Sequence, residues 1–236
     1  MKYQELAKIL KDDIKNGDYG ANDKLPTEDN LIENFGISRY CVRQAINILV
    51  EQGDVYPVQG SGMFVRQSKR EGCMNLGSTR GLTAEFEGRK VHTKVIKIEI
   101  KQADESIAQR MHCKVGTWLY YIERIRFVDD EPLSVECTHY NKELIPYIDE
   151  KIASASLFGY IKNDLELSLG FADKILFCDK LDYITAGYLG LNVGDPTFVV
   201  EDDAYLSNGK LFNASRVYYN YKKTKFFGSK SLVWDK

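Results

Sequence analysis

The feature that most restricts what this chain can become is a pair of short amphipathic runs separated by two residues, in LPTEDNLIENFGISRYCVRQAINILVEQG. Pro26 restricts the backbone entering the first run, Thr27 can cap it, and Glu28 and Asp29 fall in its first turn, where carboxylates suit the helix dipole. Leu31, Ile32 and Phe35 form its apolar stripe. Gly36-Ile37 makes one tight turn before Ser38 offers a second cap. The next run puts Val42, Ala45, Ile46, Leu49 and Val50 on one face and Arg39, Tyr40, Arg43, Gln44 and Asn47 on the other, and Gly53 can end it. Two short helices joined across a glycine-containing turn form the helix-turn-helix pattern.

The flanks extend that pattern. Upstream, Tyr3, Leu6, Ala7, Leu10 and Ile14 recur at helical spacing until Gly17 and Gly20 stop the helix. Downstream, DVYPV and MFVR flank Gln59-Gly60-Ser61-Gly62, which predicts a hairpin wing whose glycine tip can approach a phosphate closely. Arg39 and Arg43 lie near the N-terminal end of the third helix, where a recognition helix meets base edges and phosphates. Residues 38–53 alone also fit a surface helix with ordinary solvated charges. The order helix, helix, turn, helix, hairpin favours a DNA reader. Residues 1–70 hold ten Lys+Arg and ten Asp+Glu, so any DNA contact must come from local placement of cations and not from bulk attraction.

A length of 236 residues allows one or two domains, and 44% hydrophobic with 12% aromatic residues is enough for a core. The net charge of −2 does not suit a protein that coats nucleic acid. No apolar run is long enough for a membrane span, and MKYQELAKILKDD carries no signal-peptide stretch. Cys41, Cys73, Cys113, Cys137 and Cys178 are scattered, odd in number and free of any C-x-x-C pair. Reduced thiols in a cytoplasmic protein are expected, with no disulfide framework and no cysteine zinc site.

From Gln67 to Arg80 the chain is polar and without periodicity, which reads as a connection. Beyond it lie β-rich runs: VIKIEI, TWLYYIERIRFV, PLSVECTHY, KILFCDKL, TFVVEDDAYL and LFNASRVYY. Short helices are expected near residues 104–112, 156–165 and 182–189. Sliding the chain by 78 residues sets Val115-Gly116 on Val193-Gly194, Glu123 on Glu201, Leu133 on Leu211 and Tyr140 on Tyr218 without a gap. Two units of helix, long strand, tight turn, long strand predict one antiparallel sheet with pseudo-twofold symmetry. Arg124 and Arg126 project from one strand face, and their repeat equivalents are Asp202 and Ala204. That asymmetry fits a fork for carboxylate or phosphate, and equally an exposed pair balanced by an acid across the sheet.

The N-terminal segment, with its Leu-Pro entry, FGISR turn, VR pair and G-x-G wing, resembles the GntR family of bacterial regulators over most of residues 3–66. The resemblance implies that Arg39 and Arg43 contact bases or nearby phosphates, with Gln44 on the same face, that Ser38 and Tyr40 hold the backbone, and that Gly60 reaches the minor groove. Asp29 stands where many members carry arginine, and Cys41 where threonine is usual. Cys41 fits a small packing role better than a redox one. The remainder resembles the UTRA effector domain of the HutC subfamily, with a fold similar to chorismate lyase, on the Gly81-Leu82-Thr83 turn, the R-x-R at Arg124 and Arg126, the D-E-P followed by Glu136, and the late N-G hairpin. That likeness implies an anionic effector held by the arginines and by the amides of Gly81, Leu82 and Thr83. Glu136 and Ser156 would meet its polar body and Tyr219 would close the pocket. Asn213 stands where sugar-phosphate-binding relatives tend to carry an acid.

The expectation is therefore an α+β chain: a winged helix-turn-helix at residues 1–67, a linker at 68–80, and an antiparallel-sheet effector and dimerisation domain at 81–236. Its partners would be a pseudo-palindromic double-stranded operator, a small anionic effector and a second copy, without cofactor, metal or membrane. Repression relieved by the effector is expected from the resemblance. The rival is a small-molecule enzyme of lyase-like fold fused to a DNA-binding head. His92, His112 and His139 sit in no H-E-x-x-H spacing, and the chain has no G-x-S-x-G or P-loop. His139 could be a pocket acid or base, or a satisfied packing residue.

Overall fold

The computed structural model describes residues 2–66, 73–75, 86 and 88–228, and the chain divides into two compact units, one of residues 1–78 with 226–236 and one of residues 79–225. The first unit begins with α1 (Tyr3–Asn16), α2 (Glu28–Phe35) and α3 (Arg39–Glu51), followed by the hairpin of β1 (Val55–Val58) and β2 (Gly62–Val65). Gly17 and Gly36 end α1 and α2 in the left-handed conformation, which costs glycine no Cβ clash. Thr27 Oγ1 accepts from Asn30 N–H and Ser38 Oγ from Cys41 N–H, so both expected caps form. Leu6, Leu10, Leu31, Val42, Ala45, Leu49 and Val55 meet in one core. Gly53, at φ +72°, ends α3 as expected: just past the cap residue Gln52 its N–H donates to Val50 C=O at 3.0 Å, and Asp54 N–H donates to Leu49 C=O at 2.9 Å. Lys11 Nζ lies 2.9 Å from Asp54 and 2.7 Å from Gln52 Oε1, tying α1 to the end of α3.

The second unit is built on strands β4 (Val91–Gln102), β5 (Trp118–Val128), β6 (Glu131–Asn141), β7 (Leu169–Lys180), β8 (Pro196–Leu206) and β9 (Leu211–Asn220). Its helices are α4 (Glu105–Arg110), α5 (Glu150–Ser154), α6 (Leu157–Asn163) and α7 (Tyr183–Leu189). All neighbours pair antiparallel in the order β4-β5-β6-β9-β8-β7, so the pseudo-twofold axis runs between β6 and β9. The repeat is one strand longer than the sequence suggested, because β4 and β7 also correspond. Asp104 and Asp182 cap α4 and α7 alike, through Ile107 N–H at 2.9 Å and Thr185 N–H at 2.7 Å.

The gapless alignment fails after the second hairpin. Asp129 and Asp130, both at positive φ, make a two-residue turn between Val128 and Glu131. The other hairpin passes through Ser207, Asn208 and Gly209, closed by Leu206 N–H on Lys210 C=O at 2.9 Å, and so carries one residue more. Ser134 therefore faces Tyr219 and Tyr140 faces Asn213, and the symmetry exchanges Tyr140 with Tyr219, not Tyr218.

The two faces of the sheet are covered differently. One face takes α4 through Ala108 and the Met111 that caps its end, and α7 through Ala186 and Leu189, matching the repeat. Among the described residues the other takes the segment between the repeats, whose Ile145, Leu157 and Ile161 pack on Tyr120, Ile122 and Tyr140. A further short strand, β3 (Cys73–Asn75), pairs with β10 (Lys225–Phe227), although the sequence reads residues 68–80 as connection only.

Candidate functional site

The outward face of α3 is assembled as the spacing predicts, and its cations are not free-standing. Arg39 Nη2 lies 2.6 Å from Asp29 Oδ1 and its Nη1 3.2 Å from Glu28 Oε2. Arg43 Nε reaches Glu28 Oε2 at 3.0 Å. The acidic first turn of α2 thus holds both arginines across the turn, and the two guanidiniums stay about half exposed. Asp29, noted in the sequence as a departure, is a partner of Arg39. Tyr40 stands in solvent at 68% exposure, Asn47 is exposed and Gln44 is half-buried. Cys41 is a half-buried free thiol. At the wing tip Gly60 has φ +73° and Gly62 +115°; a Cβ on Gly62 would also lie 2.9 Å from Lys24 Cε. The first glycine answers to conformation, the second to conformation and crowding.

Of the residues expected to hold an effector, Arg124, Arg126, Glu136 and Tyr219 lie on the sheet face that carries α5. Arg124 stands opposite Glu136, Arg126 opposite Ser134, and Ser134 opposite Tyr219, so all five side chains share one face. Both arginines are buried, at 6% and 5% exposure, which rules out the exposed pair. The acid across the sheet is present nonetheless. Arg124 Nη2 pairs with Glu136 Oε2, Arg124 Nη1 donates to Ala153 C=O at 2.9 Å, and Arg126 Nε lies 3.9 Å from Glu136 Oε1. Burial works to raise the Glu136 carboxyl pKa, but Arg124 and then Arg126 overcome it and hold the group below the usual carboxylate range. For Arg126 burial dominates and lowers the pKa, and repulsion from Arg124 adds to it. Tyr219 is half-buried.

Ser156 caps α6, its Oγ accepting from Gly159 N–H at 3.1 Å, and it is exposed. Gly81, Leu82 and Thr83 lie outside the described residues. A depression of about 370 Å³ bounded by Ile100, Trp118, Lys142 and Glu143 includes none of the expected effector residues.

Sequence reasoning missed several members of the arginine face. Pairing across β6, β9, β8 and β7 adds Thr138, Ser215, Asp202 and Lys174 in one row, and Tyr140 next to it. Tyr140 is fully buried, and burial raises its hydroxyl pKa. Period-two alternation from Glu136 could have found Ser134, Thr138 and Tyr140. Nothing in the sequence announces that β6 lies beside β9.

His139 projects from the opposite face. Its pKa is lowered to about 4, first by burial and then by Lys101 and Arg110, so it is neutral near pH 7. Its ring packs 5.1 Å from that of Tyr121, a packing role rather than that of a poised acid. Among the described residues no cluster of His, Cys, Asp and Glu could hold a metal ion, and no helix is long and apolar enough to cross a membrane.

Comparison with known proteins adds what geometry alone does not. Residues 2–65 match the bacterial regulatory proteins of the gntR family, and residues 87–225 match the UTRA domain. The HTH-type transcriptional regulator YydK of Bacillus subtilis is 32% identical over 96% of both chains. The HTH-type transcriptional repressor NagR of the same organism is 28% identical, over 95% of this chain and 92% of its own. The crystal structure of YydK superposes with a TM-score of 0.83 at 30% identity, covering 98% of this chain and all of that one. These relatives are regulators, and the enzyme alternative has no support among them.

Proposed function

The chain belongs to the gntR family of bacterial regulatory proteins and carries a UTRA domain, and from that premise we propose how this DNA-binding transcriptional regulator reads its operator and is switched. Two copies set their α3 helices on a pseudo-palindromic double-stranded operator in the cytoplasm, with Arg39, Tyr40, Arg43 and Gln44 toward the major groove and Gly60 toward a backbone or minor groove. Ser38 keeps the first turn of α3 in place. A small anion bound on the arginine face of each second unit releases the operator and so relieves repression. NagR is named a repressor, which supports that direction.

One observation carries the effector reading. Two buried guanidiniums, two residues apart on one strand and braced by the half-buried Glu136 carboxylate, form a preset cationic fork of the kind that suits carboxylate or phosphate. Tyr219 on the same face, Ser156 beside α5, and the amides of Gly81, Leu82 and Thr83 would complete the contacts.

A thermal-shift screen of phosphorylated sugars and small carboxylates tests this reading. A stabilising compound that also frees DNA is expected. Because Arg124 anchors Ala153 and Glu136, the informative variant is Arg126→Gln, which leaves that pair intact and should lose the shift while still binding DNA. A shift retained in Arg126→Gln removes the arginine from the site. Arg43→Ala should do the reverse, losing the operator by a factor of about ten to a hundred and keeping the shift. Normal operator binding by Arg43→Ala would overturn the assignment of α3.

A further inference from the structure

Among the described residues, three buried polar atoms on the arginine face have no hydrogen-bond partner: Arg124 Nε, Ser134 Oγ and Asp202 Oδ1. Leaving such groups unmet in a fold costs free energy, and three on one sheet face point to a molecule that meets them. Arg124 and Ser134 belong to the anion end already described. Asp202 does not. It lies across the pseudo-twofold axis, on β8, in the position that Arg124 holds on β5, and it shares the row of Thr138 and Ser215. The repeat has thus placed an acceptor where its partner half has a donor.

The surroundings of Asp202 define what it can accept. Its Oδ2 is held by Lys174 Nζ at 2.9 Å, which fixes the carboxylate and balances its charge. Oδ1 remains open. An ammonium at Oδ1 would add a second cation beside Lys174, whereas a neutral hydroxyl adds none. Three interstrand steps of about 4.8 Å separate the β5 and β8 backbones by roughly 14 Å, and the long arginine side chain shortens that gap to the scale of a small metabolite. Tyr140, buried on β6 one row beyond Thr138 and Asp202, feels the charges of Arg124, Glu136, Asp202 and Arg126 together, in keeping with a single polar strip.

We propose that Asp202, braced by Lys174, is the second pole of the effector site and accepts a hydrogen bond from a hydroxyl on the far end of a hydroxylated small anion. This rests on the reading that Arg124 and Arg126 hold the anionic end. Asp202 then determines specificity: it separates hydroxylated anions from apolar ones of equal charge and length.

Sorbitol 6-phosphate and hexyl phosphate test it, since they share a six-carbon chain and differ in hydroxyls, and the hexitol offers one at every distance along the chain. Binding of both, and of inorganic phosphate, is measured calorimetrically on the full chain. Sorbitol 6-phosphate should bind about tenfold tighter or more than hexyl phosphate. In Asp202→Asn the preference should fall to about twofold or less with inorganic phosphate binding unchanged. Asp202→Ala serves as the second variant if the amide disturbs Lys174, and each fold is checked by its unfolding midpoint. Equal affinity of the two phosphates for the native protein overturns the hydroxyl pole. A preference that survives both substitutions overturns Asp202 as its acceptor. No binding of any of the three, with Arg126→Gln indistinguishable from the native protein, overturns the anion site itself and this proposal with it.

Discussion

The molecule holds two pairs of arginines, each tied to carboxylates, and they work in opposite ways. Arg39 and Arg43 meet Glu28 and Asp29 in water, with side chains about half exposed. Arg124 and Arg126 meet Glu136 under α5, nearly out of solvent. In water such pairs are weak and screened by salt, so the acidic turn of α2 can orient the α3 arginines without keeping them from a phosphate or base. In the interior the same pairing cannot be given up cheaply, because the unpaired charge would have no water to solvate it. The first arrangement suits a reader that must exchange partners on meeting DNA. The second suits a fixed receptor that holds its cations in place before any ligand arrives.

The largest break in this contrast should come from Glu136→Ala. Two buried guanidiniums would then lose their only described carboxylate, and denaturant unfolding should reveal a loss of about 3–5 kcal/mol. A change no larger than that of a surface substitution would mean the pair is hydrated after all. Acid should act next. The Glu136 carboxyl is held below its ordinary 4.5, so its contribution is fully present above pH 4.5 and is lost as pH falls through the lower, folded value. His139 adds to this in a higher window. Its folded pKa of about 4 lies below its ordinary 6.5, so the unfolded chain takes up the proton first and stability drops as pH falls from 6.5 to 4. His139→Leu should flatten unfolding midpoints across that window only; an unchanged slope would mean the ring is solvated.

A smaller effect belongs to the head. Asp29→Asn frees Arg39 from one carboxylate and lessens repulsion toward phosphate, so operator affinity should rise severalfold at low salt, and the gain should fade as salt increases. A loss of affinity would show Asp29 to be a reader in its own right. Least of all, Glu28→Ala should leave the unfolding midpoint unmoved, in direct contrast to Glu136→Ala.

How much of this was legible in the sequence differs between the two units. In the head, caps, stripes and turns are local, so Thr27, Gly36, Ser38 and the outward face of α3 could be read from spacing alone. What escaped was the bond from Asp29 to Arg39, because it crosses a turn and depends on how two helices meet. In the second unit the strands and the 78-residue repeat were visible, yet the one-residue difference between the hairpins was not, and with it went the exchange of Tyr140 with Tyr219. A one-residue slip turns a strand face over, so register decided which side chains could share the site. Asp202 and Lys174 were out of reach for the same reason: they join Arg124 only through β6 and β9.

By itself, then, the sequence determined the winged helix-turn-helix, the position of Arg39 and Arg43 on its exposed face, the antiparallel repeat, and the parity that sets Arg124 and Arg126 side by side. These depend on neighbours within a turn of helix or a step of strand, where geometry follows directly from residue order. Tertiary structure alone decided that one arginine pair is buried and the other is not, that Glu136 stands opposite Arg124 within reach of Arg126, and that Asp202 shares their sheet face from the other half of the repeat. Burial and cross-sheet pairing are properties of which segments lie together, and no local pattern carries that information.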